Sequence, residues 1–286
     1  YVPNLIRVRS YELLRTLAQR DHQITLATLW STPQDQADLQ ALAAMGIELV
    51  AQPLSMRRSL WNSVCALPTH SPLQAVYCWQ PALARRLQRL LSTTTFDVMH
   101  VEHLRGAVYG VDLKRTMQTM ASPIPVVWDS VDCISYLFSQ AARHRKRLAS
   151  RLLNQMELRR TPAYEGWLVQ QFARVLVTSP VDRQALSDLA VQAGIRPGEG
   201  RLAADRDTFA QRLVVLPNGV DLTYFCPTSG TVQPAVNEEQ PATIVFSGKM
   251  SYHANVTAAL HLLQAIMPLV WRHRPDVRVQ IVGKDP

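Results

Sequence analysis

Short apolar runs alternate with amphipathic segments along this chain, and that alternation limits the fold more than any other feature. ITLATL, IELVAQPL, FDVMHVEHL, PVVWDSVD, ARVLVTS, LVVLPNG, IVFS and VQIV are brief, strand-like, and bounded by polar, Gly or Pro positions. The segments between them carry helical spacing, beginning with Leu5, Val8, Leu13, Leu14, Leu17 and Ala18. Strands joined by helices pair in parallel, because each crossover returns the chain to the same end of the sheet. RVLV is apolar at nearly every position, which fits a sheet covered on both faces. The expectation is an α/β protein built on mostly parallel sheets.

The punctuation between runs sets the organisation. A helix over 34–45 stops at Gly46, Pro81 opens PALARRLQRLL at its first turn, and VDRQALSDLAVQAG stops at Gly194. A further helix covers 107–120, and a long basic helical stretch covers 139–172, kinked or interrupted by Pro162. Residues 53–72, with Pro53, Pro68 and Pro72, read as a loop or broken helix, and 195–211 as a loop insertion. Residues 226–242 are rich in Pro, Gly, Thr and Glu without periodicity and read as a linker. It divides a first domain, 1–225, from a fresh strand–helix–strand unit at 243–286. The chain starts at Tyr1 rather than Met and stops directly after a strand, so both ends read as cut.

Composition narrows the classes. With 47% hydrophobic and 18% charged residues, the chain is not disordered. A net charge of +8 and a pI near 9.6 suit either an anionic partner or a plain arginine-rich surface. Cys65, Cys78, Cys133 and Cys226 are scattered, with no metal-binding spacing, and read as reduced thiols of a cytoplasmic protein. No signal-peptide layout is present, and no uninterrupted apolar run reaches the ~18 residues that span a bilayer. Neither GxGxxG nor GxxxxGK[ST] occurs, which argues against dinucleotide and P-loop chemistry. No nucleic-acid module or aromatic-interleaved groove is present either.

Ligands of open parallel sheets bind beyond the carboxyl ends of the strands. That rule collects His100, Glu102 and His103 after the FDVMH run, Asp129 and Asp132 after VVW, Ser179 after LVT, and Asn218 and Asp221 after LVVLP. In the later unit it collects Gly248, Lys249, Tyr252 and Asn255 after IVFS. Each has a plain alternative: Asp129 and Asp132 as caps of the next helix, Asn218-Gly219 as a tight turn, Asn255 as a helix cap.

PNGVDLTYFCP followed by IVFSGKMSYHANVTAALHLLQAIMPLVWRHRPDVRVQIVGKDP resembles the domain junction and second-domain start of family 4 glycosyltransferases. VPNLIRVRSYELLRTLAQRDHQITLATL is similar to the loop, helix and strand near that family's beginning, and FDVMHVEHL and ARVLVTSPVDRQAL follow in order. The resemblance covers essentially the whole chain. It implies the GT-B fold, two Rossmann-like domains, and retaining transfer of a sugar from a nucleotide-sugar donor to an acceptor hydroxyl, in polysaccharide (for example exopolysaccharide) or glycolipid synthesis. It implies no metal and no cofactor. It implies that Gly248 lets the backbone approach the donor diphosphate, that Lys249 and Asn255 stand where the family uses an arginine and a lysine, and that His103, with Glu102 second, lies near the reacting sugar. Asp129, Asp132 and Asn218 then line the acceptor side of the cleft. Gly283 and Lys284, after VQIV, are candidates to approach the donor site, in a setting the sequence does not define.

The match is partial at the loop. Lys249 offers a point charge instead of a bidentate fork, and Asn255 offers no charge. The family's donor-binding glutamates lie further on than Pro286, so the chain by itself is expected to be inactive and to lack micromolar donor affinity. RHRKRLASRLLNQMELRR, at 143–160, carries seven Lys/Arg against one Glu. It either lies on an anionic membrane at the inner face, where lipid-linked acceptors reside, or is a solvated helix packing its leucines inward. A non-catalytic sugar- or lipid-binding module of the same fold is the alternative to an enzyme.

Overall fold

The structure, a computed structural model, describes residues 8–118, 123–142, 149–194, 203–226 and 241–283. Its elements run α1 (Val8–Ala18), β1 (Thr25–Trp30), α2 (Pro33–Ala43), β2 (Glu48–Pro53), α3 (Met56–Ala66), α4 (Leu73–Val76), α5 (Pro81–Thr93), β3 (Met99–Glu102) and α6 (His103–Met117). They continue with β4 (Val126–Val131), α7 (Ile134–Ala142), α8 (Ala149–Gln171), β5 (Arg174–Val177), α9 (Pro180–Gly194), α10 (Ala203–Arg212) and β6 (Leu213–Val215). The last elements are β7 (Thr243–Ser247), α11 (His253–His261), α12 (Met267–His273) and β8 (Arg278–Val282). Two compact units result, Tyr1–Gly219 and Val220–Pro286.

Every described strand pairing is parallel, as the alternation predicts: β1 with β2, β3-β4-β5-β6 in chain order, and β7 with β8. The chain is an α/β protein. In the first unit the main core lies between the four-stranded sheet and its helices, where Trp128, Leu168, Phe172, Val175, Val177 and Leu186 are fully buried. Trp128 stacks at 5.8 Å on Phe172 and donates its indole N–H to the His103 carbonyl at 3.3 Å, tying the sheet to the start of α6. A smaller cluster of Leu39, Leu42 and Ile47 fixes α2 on the β1–β2 pair. Thr32 starts α2 with a capping box: its hydroxyl accepts from the Asp35 amide, and the Asp35 carboxylate accepts from the Thr32 amide.

Three local expectations change. Residues 56–66 form a full helix, because the prolines bracket it: Pro53 closes β2, Ser55 caps α3 and Pro68 lies just past its end. Within the stretch read as a loop insertion, Ala203–Arg212 is helical, since Phe209 docks beside Gly194 and Arg212 Nη1 donates to the Gln170 carbonyl at 3.1 Å. Residues 195–202 lie outside the described part. α8 runs through Pro162 without a break. Gly166 lets α8 approach α9 closely, a Cβ there lying 2.2 Å from the Leu189 carbonyl oxygen.

In the second unit, a π-helical turn at Leu262–Ile266 joins α11 to α12. Pro268 lacks an amide proton and its ring crowds the carbonyl four residues back, and the widened turn accommodates both. The helical stretch Ala254–His273 is apolar and long enough to cross a membrane by length and composition, which the run-length reading missed. It is nevertheless the crossover between β7 and β8, which pair in parallel over Thr243–Ser247 and Arg278–Val282. A helix whose two flanking strands hydrogen-bond to each other has to lie along their sheet.

Candidate functional site at the strand ends

The carboxyl ends of β4 and β6 converge on one residue that the sequence did not single out, Arg9 of α1. Its Nε donates to Asp129 Oδ2 at 3.0 Å, and its Nη1 reaches the Leu216 carbonyl at 3.0 Å and Asn218 Oδ1 at 3.1 Å. One planar fork thus ties the ends of β4 and β6 to the first helix, a geometry an ammonium cannot reproduce. Asp129 is fully buried, and the guanidinium stands beside it as its ion-pair partner. Arg9 Nη2 is buried with no hydrogen-bond partner among the described residues. The neighbouring Ser10 hydroxyl donates to Glu102 Oε1, which fixes the second carboxylate at the end of β3.

Glu102 pairs with Asp129 in the sheet register, and His100, two residues earlier, faces the same side. His100 Nε2 stands 3.8 Å from Asp129 Oδ2 and forms an ion pair with it when the imidazole is protonated. His103 is the first residue of α6 and has φ of 60°, while Val131, at the end of β4, has φ of 67°. Left-handed backbone is costly for a histidine and more so for a β-branched valine, on the order of 1–3 kcal/mol each. Two such residues at adjacent strand ends mark the place where the chain spends stability on shape. The β4 end is further kinked by a register shift between Asp129 and Val131, with Asp129 Oδ1 accepting from the Val131 amide at 3.1 Å.

Asp129 and Asp132 do not cap α7. Asp132 Oδ1 accepts from Thr178 Oγ1 at 3.2 Å, linking β4 to the end of β5. The first amides of α7 are satisfied by two carboxylates from distant helices. Glu165 of α8 accepts from the Ile134 and Ser135 amides at 2.8 and 3.0 Å, and Asp182 of α9 accepts from the Cys133 amide at 2.9 Å. Burial pushes the Glu165 carboxyl above its ordinary range, against the lowering effect of its hydrogen bonds. Burial first, and Glu165 beside it second, push the Cys133 thiol up to about 12, so it is an inert packing group. Asp182 had a readable signal: Ser179-x-x-Asp182 is a reciprocal cap, the Asp182 amide donating to Ser179 Oγ at 3.1 Å while that hydroxyl donates to the Asp182 carboxylate. Glu165 and Arg9 had none. Asn218-Gly219 is not a positive-φ turn either; among the described glycines only Gly46 has positive φ.

In the second unit, Gly248 and Gly283 sit against each other at the ends of β7 and β8. The Gly248 amide donates to the Val282 carbonyl at 3.0 Å, and a Cβ on Gly283 would lie 1.8 Å from the Gly248 carbonyl oxygen. Asn255 does not cap α11, whose N-cap position is Tyr252. It is the third helical residue, and its Nδ2 reaches back to the Lys249 carbonyl at 3.0 Å, clamping the turn. A Cβ on Gly248 would meet that same amide at 2.9 Å, so the glycine makes room for the clamp. Lys284 lies outside the described residues.

No protein-family model matches the chain, and no curated protein matches it. What the fold and site define is a class: a two-unit α/β protein with parallel sheets and a polar cluster at the strand ends of its larger unit. Among the described residues no group of His, Cys, Asp and Glu is arranged to hold a metal ion. Asp129 is paired with Arg9 and Glu102 is held by Ser10, so neither carboxylate stands ready to abstract a proton unaided.

Proposed function

We propose that this chain belongs to a retaining glycosyltransferase of GT-B type that moves a sugar from a nucleotide-sugar donor to a saccharide or lipid-linked acceptor hydroxyl. The observation that carries the reading is the convergence of Arg9, Glu102, His103, Asp129 and Asn218 at the carboxyl ends of one parallel sheet, with two left-handed residues among them. In this reading His103 and Glu102 contact the reacting sugar or acceptor, and Asp129, Asp132 and Asn218 shape the acceptor wall. Gly248, Lys249 and Asn255 form the turn that faces the donor diphosphate. Lys249 offsets the negative charge that grows on the leaving group, an electrostatic contribution that needs no metal. The enzyme works in the cytoplasm, peripherally at the inner face of the membrane.

The test is transfer of labelled sugar from a panel of nucleotide sugars by the whole polypeptide that carries these residues. Lys249→Ala is expected to lower kcat at least tenfold, in line with the loss of one preorganised charge. Absence of transfer or donor hydrolysis across the panel would refute the reading.

A further inference from the structure

α3 is built inside out. Met56, Leu60, Trp61, Val64 and Leu67 are 57, 61, 60, 58 and 48% exposed, whereas the face turned inward carries Ser59, Asn62 and Ala66. At ~100° per residue the five apolar side chains occupy one arc of the helix. The helix is anchored by polar ties instead of apolar burial. Asn62 Nδ2 donates to the Val76 and Trp79 carbonyls at 3.1 and 2.8 Å, and Arg160 of α8 donates to the Ala66 and Leu67 carbonyls at the other end. The apolar arc is therefore held outward by contacts that do not depend on it.

We infer that this face of α3 docks on an anionic lipid surface. The charge on the helix selects that occupant: α3 carries Arg57 and Arg58 and no carboxylate, and Arg57 lies on the same exposed arc. Eleven helical residues span ~16 Å, too short to cross a bilayer but suited to lying in the interface. Trp61 sits on the flank of the arc, where an indole reaches the headgroup boundary while the aliphatic residues enter the acyl region. Arg160, in the basic segment for which the sequence left membrane contact and a solvated, inward-packed helix both open, is engaged in tying down the end of α3. This inference rests on the peripheral membrane placement proposed above, to which it gives a surface, and on none of the sugar-transfer chemistry.

The experiment is co-sedimentation of the full chain with vesicles of equimolar phosphatidylglycerol and phosphatidylcholine, with pure phosphatidylcholine vesicles alongside. The chain is expected to partition onto the anionic vesicles, more weakly at high salt, and far less onto the neutral ones. Leu60→Ser/Trp61→Ser and, independently, Met56→Ser/Val64→Ser are each expected to weaken partitioning at least about tenfold, as apolar transfer requires. Both leave the thermal transition in circular dichroism in place, since the replaced side chains are exposed. Failure to bind, equal binding to neutral vesicles, or binding unchanged in both variants would overturn the inference. So would a dimer in sedimentation velocity that the variants dissociate, which would assign the face to a second copy of the chain.

Discussion

Arg9 shows how much of a site can rest on one side chain. It bridges a fully buried carboxylate in β4 to a backbone carbonyl and a side-chain amide in the segment after β6. Arg9→Ala leaves Asp129 buried without its countercharge and is expected to cost about 3 kcal/mol in urea unfolding. Arg9→Lys keeps the charge but loses the fork and is expected to cost roughly half of that. Equal stability of all three proteins would contradict the geometry. At His103, φ of 60° decides which replacements are tolerated. His103→Asn is expected to unfold within about 0.5 kcal/mol of the parent, because asparagine enters the left-handed region readily, whereas His103→Val loses about 1–2 kcal/mol. Sequence reading found His103 through its place after an apolar run. It missed Arg9, because an arginine in an amphipathic helix looks like solvent-facing charge until the strand ends are brought beneath it.

At the scale of elements, α7 begins on carboxylates supplied by α8 and α9. Glu165→Gln replaces one acceptor oxygen with an amide donor facing a backbone N–H, and is expected to destabilise by about 1–3 kcal/mol. The pH dependence has a definite sign. The folded protein holds the Glu165 proton more tightly than the unfolded chain does, because its pKa is raised from the ordinary 4.5. That contribution is complete below the unfolded value and declines as pH rises from there through the raised folded value. The deficit of Glu165→Gln relative to the parent is therefore largest at acid pH and shrinks across that window, which urea titrations at several pH values will show. α8 and α9 are also linked by Gly166; Gly166→Ala forces the helices apart against the Leu189 carbonyl and is expected to lower stability by about 3 kcal/mol, read from the shift in denaturation midpoint. The helix periods of α1, α2, α5, α6 and α9 were legible. α10 was not, since AADRDTFAQR shows no apolar repeat and is held by docking of Phe209 beside Gly194.

At the scale of the molecule, both apolar clusters draw their residues from the first unit alone. The polypeptide 1–219 is therefore expected to fold by itself, with a circular dichroism melt matching the principal transition of the full chain within a few degrees. A fragment lacking a cooperative transition would show that the second unit contributes to that core. In the second unit, Val245, Leu260, Leu269, Ile281 and Val282 are exposed beyond a third of their surface, so its single β7–β8 pair leaves much apolar area uncovered among the described residues.

The sequence by itself determined the class of fold. Period and run length are local properties, and eight strand-like runs separated by helical segments admit few solutions other than parallel sheets. It also located the polar residues after each run, because strand ends are local too. Tertiary structure decided which of them meet. Arg9 finds Asp129 across 120 residues and Asn218 across 209, and Glu165 finds the α7 amides across more than 30. It decided as well that α3 turns its apolar face outward. The same pattern of leucine, tryptophan and valine would bury inward on most helices, and only the polar anchors at Asn62 and Arg160 reverse it. Long-range pairing of polar groups depends on geometry that no window of sequence contains.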